Sequence, residues 1–375
     1  MNPLPPPLLR HHLPAAFATS AGHSPYPAAK PHRNRWLWAV PVLVVVTALV
    51  VGGAIWGVRS FSASDSATTS FTVNDVPAGT YPQYVALNPW NRELYVTTGY
   101  DIRVINSDRT ALDPFIAVPS GSKDIAFDTV AKTVWTHNNT RDNAPDSHVV
   151  TVIDTATRQA TRTIRFQRPV IALGIDSELR RAFVVNRPDD QTQTPSNESW
   201  VSVVDTDTFD VISEYTIDLA GYGVDIDPAT HIALIRGWMG TLVFSTESPG
   251  TLSAPRAVKA SNSSSVNVAL DKQQQRAYVY TDTDMVTYDT LSGDEISRSA
   301  MDIDISDMAV SREGMLWTVD SESDSITVYD PATWAPITSI DVGDQPISIA
   351  TDPDTGLFFT SNNAGQSVSV IEPAG

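Results

Sequence analysis

Short apolar segments alternate with turn residues along the chain from about residue 70 to its end. Each unit has the same order: a strand ending in Asn or Asp, a turn, a strand rich in aromatic residues and valine, a third strand ending in Val-x-Asp, and a fourth strand after a turn containing Thr or Pro. Apolar residues that alternate with polar ones over a short run predict β-strands. Helical patterns do not separate the strands, which argues against a parallel α/β fold. The pattern therefore predicts an all-β protein built from repeated four-stranded units.

Two positions make the repeat countable. The residue that closes the first strand recurs seven times, at Asn88, Asp128, Asp176, Asp227, Asp271, Ser311 and Asp352. The residue that closes the third strand also recurs seven times, at Asn106, Asp154, Asp205, Ser245, Asp289, Asp330 and Glu372. Four strands in a period of about 44 residues are typical of one blade of a β-propeller. The sequence therefore predicts a seven-bladed β-propeller over residues 70–375.

The two ends of the repeat predict how the ring closes. The seventh unit has three candidate strands, at 347–351, 357–360 and 367–371, and an unassigned strand, SFTVNDV at 70–76, precedes the first unit. We expect this N-terminal strand to complete the last blade, because pairing there removes the open edges that the array would otherwise expose.

Several second and third strands resemble the YVTN repeat of seven-bladed β-propellers, a family that includes bacterial surface proteins. The segments are LYVTT at 94–98, VIDTATR at 152–158, AFVVN at 182–186, VVDT at 203–206 and FFTSN at 358–362. Blade four departs most from the motif, with ALI at 233–235 and VFS at 243–245. The resemblance covers most of the chain and implies the fold, whereas one propeller fold serves many activities. Some similar propellers are lactonases or quinone-cofactor oxidoreductases, but their catalytic His/Arg/Glu set has no match in this sequence.

The segment before the propeller predicts a membrane anchor. Residues 1–35 contain eight prolines, so we expect a disordered tail. Residues 36–58 hold no charged side chain, and a helix of 23 residues is long enough to cross a bilayer. Arg33 and Arg35 on the N-terminal flank favour a cytoplasmic tail and an external propeller in a single-pass protein of the cell membrane. A cleaved signal peptide is the alternative, and residues 59–69 form a linker.

Charge and cysteine content narrow the function classes. The chain has 43 Asp and Glu against 25 Lys and Arg, a formal net charge of −18, which argues against nucleic acid as a partner. It has no cysteine, so disulfides, thiolate zinc sites and cysteine nucleophiles are excluded. The sequence also lacks GxSxG and HExxH motifs and a complete EF-hand loop. We therefore expect no catalytic residue, metal or resident cofactor.

The loops that join second to third strands predict a protein-binding surface. Blades two and three carry long loops, at 137–148 and 187–199, and blade four has a Trp-Met tip between glycines. Because exposed tryptophan is enriched at binding hot spots, we expect a partner on this membrane-distal face. The candidate residues are His137, His148, Arg187, Asp189, Asp190, Trp238 and Met239. The alternative is that Trp238 folds over the core and the loops are tolerated insertions.

The starts of the innermost strands predict a second site, because they surround the central channel of a propeller. The residues expected to line it are Tyr84, Lys123, Asp124, Arg168, Tyr222, Asp307 and Gln345. Their mixed charges suit a polar ligand, although a polar rim is also what a water-filled channel shows.

These expectations combine into one function and one alternative. The chain is predicted to be an extracytoplasmic, membrane-anchored propeller that acts as a protein-interaction or ligand-binding module, at the cell surface or in a larger membrane complex. The alternative is a propeller enzyme, such as a lactonase-like hydrolase or a quinone-cofactor oxidoreductase. The oligomeric state stays open.

Overall fold

The computed structural model describes residues 70–373 except 119–121, 139–144, 189–197, 239, 248–255, 259–265, 282 and 302. For 111–114, 145–146, 238, 256–258 and 266 it describes the backbone only. The predicted tail, membrane span and linker at 1–69 lie outside the described residues. Within the described ranges, no helix has the length and apolar character needed to cross a membrane.

Strands account for nearly all regular structure in the described residues. The first fourteen are β1 Phe71–Pro77, β2 Val85–Leu87, β3 Leu94–Thr97, β4 Asp101–Ile105, β5 Ala111–Ala117, β6 Ser122–Asp128, β7 Thr133–Asn138, β8 Val149–Asp154, β9 Gln159–Arg165, β10 Val170–Asp176, β11 Arg181–Asn186, β12 Ser199–Asp205, β13 Val211–Ile217 and β14 Ala220–Asp227. The next fourteen are β15 Ile232–Trp238, β16 Gly240–Ser245, β17 Arg256–Val258, β18 Val266–Asp271, β19 Arg276–Thr281, β20 Asp284–Asp289, β21 Glu295–Ala300, β22 Asp307–Val310, β23 Leu316–Asp320, β24 Ser325–Asp330, β25 Ala335–Asp341, β26 Pro346–Asp352, β27 Leu357–Asn362 and β28 Ser367–Pro373. A short 3-10 helix, Pro145–His148, precedes β8.

The strands form seven antiparallel four-stranded sheets, which confirms the predicted all-β, seven-bladed propeller. Six blades use four consecutive strands, from β2–β5 in blade one to β22–β25 in blade six. Blade seven has the order β26, β27, β28, β1, with Phe71 opposite Pro373 and Pro77 opposite Ser367. The first strands of neighbouring blades contact one another at six of the seven junctions, so these strands surround the central channel.

Aromatic side chains fill the space between blades. The second strands of the blades supply the largest buried side chains, among them Tyr95, Trp135 and Phe359. Rings from neighbouring blades meet across the junctions, as where Trp317 stacks on Phe358 with ring centroids 3.5 Å apart. Packing between sheets therefore explains why the second strands are rich in aromatic residues.

A ring of polar residues closes the first strands at one face, and we call it the bottom ring. Its members are Asn88, Asp128, Asp176, Asp227, Asp271, Ser311 and Asp352, all at most 8% exposed. Each side chain accepts hydrogen bonds from backbone N–H groups of its own hairpin turn; Asp128 Oδ1 accepts from Val130 and Ala131, both at 3.0 Å. Asp, Asn and Ser are favoured here because their short side chains bridge such turns.

Side chains from the following blade reach three members of the bottom ring. The contacts are Arg92 to Asp352 at 2.7 Å, Arg180 to Asp128 at 2.8 Å and His231 to Asp176 at 3.0 Å. The three donors occupy the same turn position, with φ of 63°, 57° and 56°. A left-handed turn residue thus joins each of these blades to the blade before it.

The opposite face, which we call the distal face, carries the loops between second and third strands and the connections between blades. β1 runs from the bottom face, where Phe71 lies opposite Pro373, to the distal face. The candidate sites predicted from the sequence belong to this face and to the channel that opens there.

Candidate ligand site in the central channel

An arginine of blade four extends toward the propeller axis. Arg236 lies on β15 opposite Gly223 of β14, next to a bulge between Gly221 and Gly223. A Cβ atom on Gly223 would lie 2.6 Å from Arg236 Nε, so only glycine leaves room for this side chain to cross the innermost strand. The negative charges of carboxylates on blades two and six raise the pKa of Arg236, as expected for a guanidinium group near the axis.

Arg236 has one charged partner within the described residues. Its Nε lies 2.9 Å from Asp225 Oδ2 on the same blade. This contact is an ion pair without hydrogen-bond geometry, and no described residue accepts a hydrogen bond from the two terminal nitrogens of the guanidinium group either. The side chains of Arg236 and Asp225 are 23% and 33% exposed although they lie among the innermost strands, so solvent adjoins them. The site therefore presents two terminal guanidinium nitrogens that solvent can reach and that have no partner among the described residues.

Two further carboxylates lie on the innermost strands of blades two and six, each two blades away from this arginine. Asp307 opens β22 in blade six, and its carboxylate accepts from the backbone N–H of Met308 at 2.9 Å and of Ile349 at 3.0 Å. Asp124 lies on β6 in blade two and is 27% exposed. Neither forms an ion pair with Arg236, so their influence on it acts through space.

Burial and charge oppose each other in this cluster. Burial raises the pKa of Asp225 and of Asp307, and the positive charge of Arg236 only partly offsets it. Burial would lower the pKa of Arg236, but the charges of Asp225, Asp307 and Asp124 outweigh that effect and raise it. The guanidinium group therefore stays charged, while burial makes Asp225 and Asp307 hold protons more readily than usual.

The structure brings together only some of the predicted channel residues. Electrostatic interactions with Asp124, Tyr222 and Asp307 all raise the pKa of Arg236. Tyr84 and Lys123 are half-buried near the same ends of their blades. Gln345 is exposed in the connection before β26, where its backbone N–H donates to Asp324 Oδ1 at 2.8 Å.

The predicted place of Arg168 is wrong. Its guanidinium group lies 4.1 Å from the ring centre of Trp200 on β12 and donates to Glu214 Oε1 on β13 at 3.1 Å. Stacking on an aromatic face and pairing with a carboxylate hold the side chain over the outer strands.

The predicted place of His137 is also wrong. We expected an exposed loop residue, but His137 lies on β7 and is 1% exposed. Its Nε2 lies 3.4 Å from Asp124 Oδ2, across a bulge between Ser122 and Ile125. Its Nδ1 has no hydrogen-bond partner among the described residues. His137 thus belongs behind the channel carboxylate and not to a partner surface.

The other members of the predicted partner surface are only partly described. His148 ends the 3-10 helix and is half-buried, and Arg187 follows β11 with its pKa lowered by burial. Trp238 ends β15, and its side chain is not described. Asp189, Asp190 and Met239 lie outside the described residues.

Sequence reasoning missed Arg236, Asp225 and Gly223. The signal was available in the second strands, where the position of Arg236 is occupied in the other blades by Thr97, His137, Val185, Tyr280, Val319 and Ser361. Arg236 is the only member of that set with a permanent charge, and blade four was the blade that departed most from the repeat. Within the described residues, no three His, Asp or Glu side chains are grouped closely enough to hold a metal ion.

Comparison with known proteins supports the fold. Neither a family model nor a curated protein sequence matches the chain, so the YVTN resemblance stays a prediction. Among solved structures, a chain of hydrazine synthase from Kuenenia stuttgartiensis is similar, with a TM-score of 0.64 and 14% identity over 85% of this chain and 99% of that chain. At this identity the similarity concerns the propeller architecture alone.

Proposed function

We propose that this propeller is a ligand-binding module whose site is the distal half of the central channel. The observation that carries the proposal is the guanidinium group of Arg236, whose terminal nitrogens have no hydrogen-bond partner in the described structure while solvent reaches them. Because solvent reaches these donors, a ligand that replaces water there can accept charge-assisted hydrogen bonds from the guanidinium group. The proposal assigns no catalytic residue.

Ligand-induced stabilisation of the full chain tests this proposal. A ligand that binds only the folded protein raises its melting temperature. We would screen a broad panel of small polar molecules against the full chain in lipid nanodiscs and repeat each hit with Arg236→Gln. Arg298→Gln is the control, because Arg298 lies on the outer strand β21 and pairs with Glu295 at 2.8 Å. Hits that depend on Arg236 and not on Arg298 support the channel site; hits that survive Arg236→Gln contradict it.

The proposal includes a membrane anchor at 36–58, with the tail in the cytoplasm and the propeller outside. The support is the uncharged 23-residue segment and the arginines before it. Because the chain has no cysteine, a single introduced cysteine gives a label without background. In intact cells, an impermeant maleimide should label Leu291→Cys, which is 60% exposed on the propeller, and should spare Ser20→Cys in the tail. The reverse pattern would overturn the orientation.

A protein partner on the distal face is the second part of the proposal. Its support is the pair of long loops in adjacent blades and the Trp238 tip beside them. A mild-detergent pull-down with wild type, Trp238→Ala and a deletion of 187–199 tests it. A stoichiometric partner lost in both variants is expected; a partner retained in both would exclude this surface.

Closure of the ring by the N-terminal strand also belongs to the proposal. β1 covers the outer edge of β28 through a seven-residue register. An exposed strand edge promotes association with other chains. Deleting 70–77 should therefore lower the melting temperature and cause aggregation, which light scattering would detect. A monomeric, equally stable deletion variant would show that closure does not depend on β1.

A further inference from the structure

The channel site has an anion-binding half. The guanidinium group of Arg236 is planar, permanently charged and anchored through Nε to Asp225 Oδ2 at 2.9 Å. The two terminal nitrogens have no acceptor among the described residues, and a pair of parallel N–H groups matches the two oxygens of a carboxylate. The glycine at 223 fixes this arrangement, since any larger residue would collide with the guanidinium group.

The same site has a cation-binding half. Asp307 and Asp124 belong to blades six and two, and neither is in ion-pair contact with Arg236. Backbone N–H groups hold the carboxylate of Asp307, and His137 lies behind that of Asp124 at 3.4 Å. Both acidic groups therefore have contacts of their own on or next to the innermost strands, and neither pairs directly with Arg236.

The separation of opposite charges selects against ligands of a single charge. A simple anion bound to Arg236 would be repelled by Asp225, Asp307 and Asp124, because the negative charges of these three residues also interact with Arg236. A simple cation beside the carboxylates would be repelled by Arg236. A small molecule that carries both charges places each one beside its opposite and leaves no buried charge unpaired.

We propose that the channel binds a small zwitterion of the α-amino acid class, with its carboxylate on Arg236 and its ammonium group toward the channel carboxylates Asp307 and Asp124. The inference rests on the proposed ligand-binding function and specifies the ligand of that site. Polyanions such as nucleotides do not fit this arrangement, because each added negative charge faces the same three carboxylates.

Matched ligands separate the two halves of the site. We would screen the twenty α-amino acids against the full chain in nanodiscs by thermal shift. The best binder would then be compared by calorimetry with its N-acetyl form, which keeps only the negative charge, and its amide, which keeps only the positive charge. We expect each blocked form to bind at least tenfold more weakly than the free amino acid.

Variants assign each charge to a side of the channel. Arg236→Gln should weaken binding of the free amino acid at least tenfold and binding of the amide less than threefold. Asp307→Asn should weaken binding of the free amino acid at least tenfold and binding of the N-acetyl form less than threefold. Asp124→Asn provides a second test of the ammonium side if loss of the backbone contacts destabilises Asp307→Asn, and Arg298→Gln should change nothing.

Each alternative outcome has a distinct meaning. An N-acetyl form that binds as tightly as the free amino acid would overturn the zwitterion and leave an anion site. Arg236-dependent hits in the broad panel but none among amino acids would overturn the ligand class while the ligand-binding function stands. Absence of any Arg236-dependent hit in both panels would overturn both proposals.

Discussion

Two arginines of this propeller lie beside aspartates, yet their surroundings differ. At the bottom ring, Arg180 donates to both carboxylate oxygens of Asp128, at 2.8 and 2.9 Å, and also pairs with Asp207. In the channel, Arg236 contacts Asp225 at one nitrogen and leaves two nitrogens without a partner in the described structure. The same residue types are thus fully paired in one place and partly unpaired in the other.

The difference separates a structural ion pair from a candidate binding group. Asp128 is completely buried, and Arg180 is the cation of the next blade that compensates its charge. Asp225 is one-third exposed, so solvent can stabilise its charge if its partner is lost. We therefore expect the bottom pair to determine stability and the channel pair to determine binding.

The largest predicted effect tests the bottom pair. Arg180→Ala leaves Asp128 as a buried, uncompensated charge, and such a loss costs about 2–4 kcal/mol of unfolding free energy when one partner stays partly exposed. Arg236→Ala should cost less than about 1 kcal/mol, because Asp225 remains accessible to solvent. Urea unfolding of both variants measures the difference. Equal losses, or a larger loss for Arg236→Ala, would remove the distinction between the two sites.

The next effect tests the glycine that admits Arg236 to the channel. Gly223→Ala puts a methyl group 2.6 Å from Nε, so the guanidinium group must move. We expect a loss of less than about 1 kcal/mol of unfolding free energy, because the end of a flexible arginine side chain can move aside, together with loss of the Arg236-dependent ligand shift. Gly99→Ala is the control, because a Cβ there has no neighbour within 4 Å. Retention of ligand binding by Gly223→Ala would show that the position of Arg236 does not matter.

The sequence predicts the parts of this molecule that depend on local patterns. The residues that close the first and third strands could be counted because all of them except Glu372 cap their own turns, as Asp154 Oδ1 does by accepting from Thr157 N–H at 2.7 Å. These backbone contacts also lower the pKa of Asp154 and Asp289. A turn that needs a capping side chain leaves a recognisable residue in the sequence, and seven repeats of that residue indicate seven blades.

The channel site depends on contacts that no local pattern reveals. Arg236, Asp307 and Asp124 are separated by more than 70 residues in each direction along the chain and meet only because the ring closes. His137 and Arg168 were misplaced for the same kind of reason. His137 lies across a bulge from Asp124, and the ring of Trp200 on the third strand of the same blade holds Arg168.

A smaller predicted effect distinguishes His231, which contacts the bottom ring, from the arginines that contact the same ring. The hydrogen bond to Asp176 raises the pKa of His231 above its usual 6.5. A group whose pKa is raised by folding stabilises the protein fully below its unfolded pKa and loses that contribution as pH rises through the folded value. His231→Gln should therefore destabilise the protein more at pH 6 than at pH 9.

Arg92→Gln is the matched variant for this pH test. Arg92 occupies the same turn position and contacts Asp352 at 2.7 Å, but arginine keeps its charge over the whole range. Urea unfolding at both pH values should give the same loss for Arg92→Gln and a pH-dependent loss for His231→Gln. A loss for His231→Gln that is equal at pH 6 and pH 9 would show that its charge contributes nothing.

The smallest predicted effect adds a contact where the bottom ring is weakly paired. Asp227 is approached by Lys272 Nζ only at 3.9 Å, and Gln275 holds the left-handed turn position of the next blade with φ of 55°. Gln275→Arg would introduce the side chain that Arg92 and Arg180 provide elsewhere, without new backbone strain. Asp227 and Gln275 line the same small pocket, so a longer side chain at position 275 starts beside the Asp227 carboxylate.

We expect Gln275→Arg to raise the unfolding free energy by about 0.5–1 kcal/mol, because the new pair lies at the edge of the ring and stays partly solvated. Gln366→Arg is the control, since it makes the same substitution at an exposed left-handed position, with φ of 53°, on the distal face. A gain in urea unfolding confined to Gln275→Arg would show that bottom-ring carboxylates are sites of stabilisation wherever a cation can reach them. An equal change in both variants would attribute the gain to net charge, because each substitution makes this acidic chain one unit less negative.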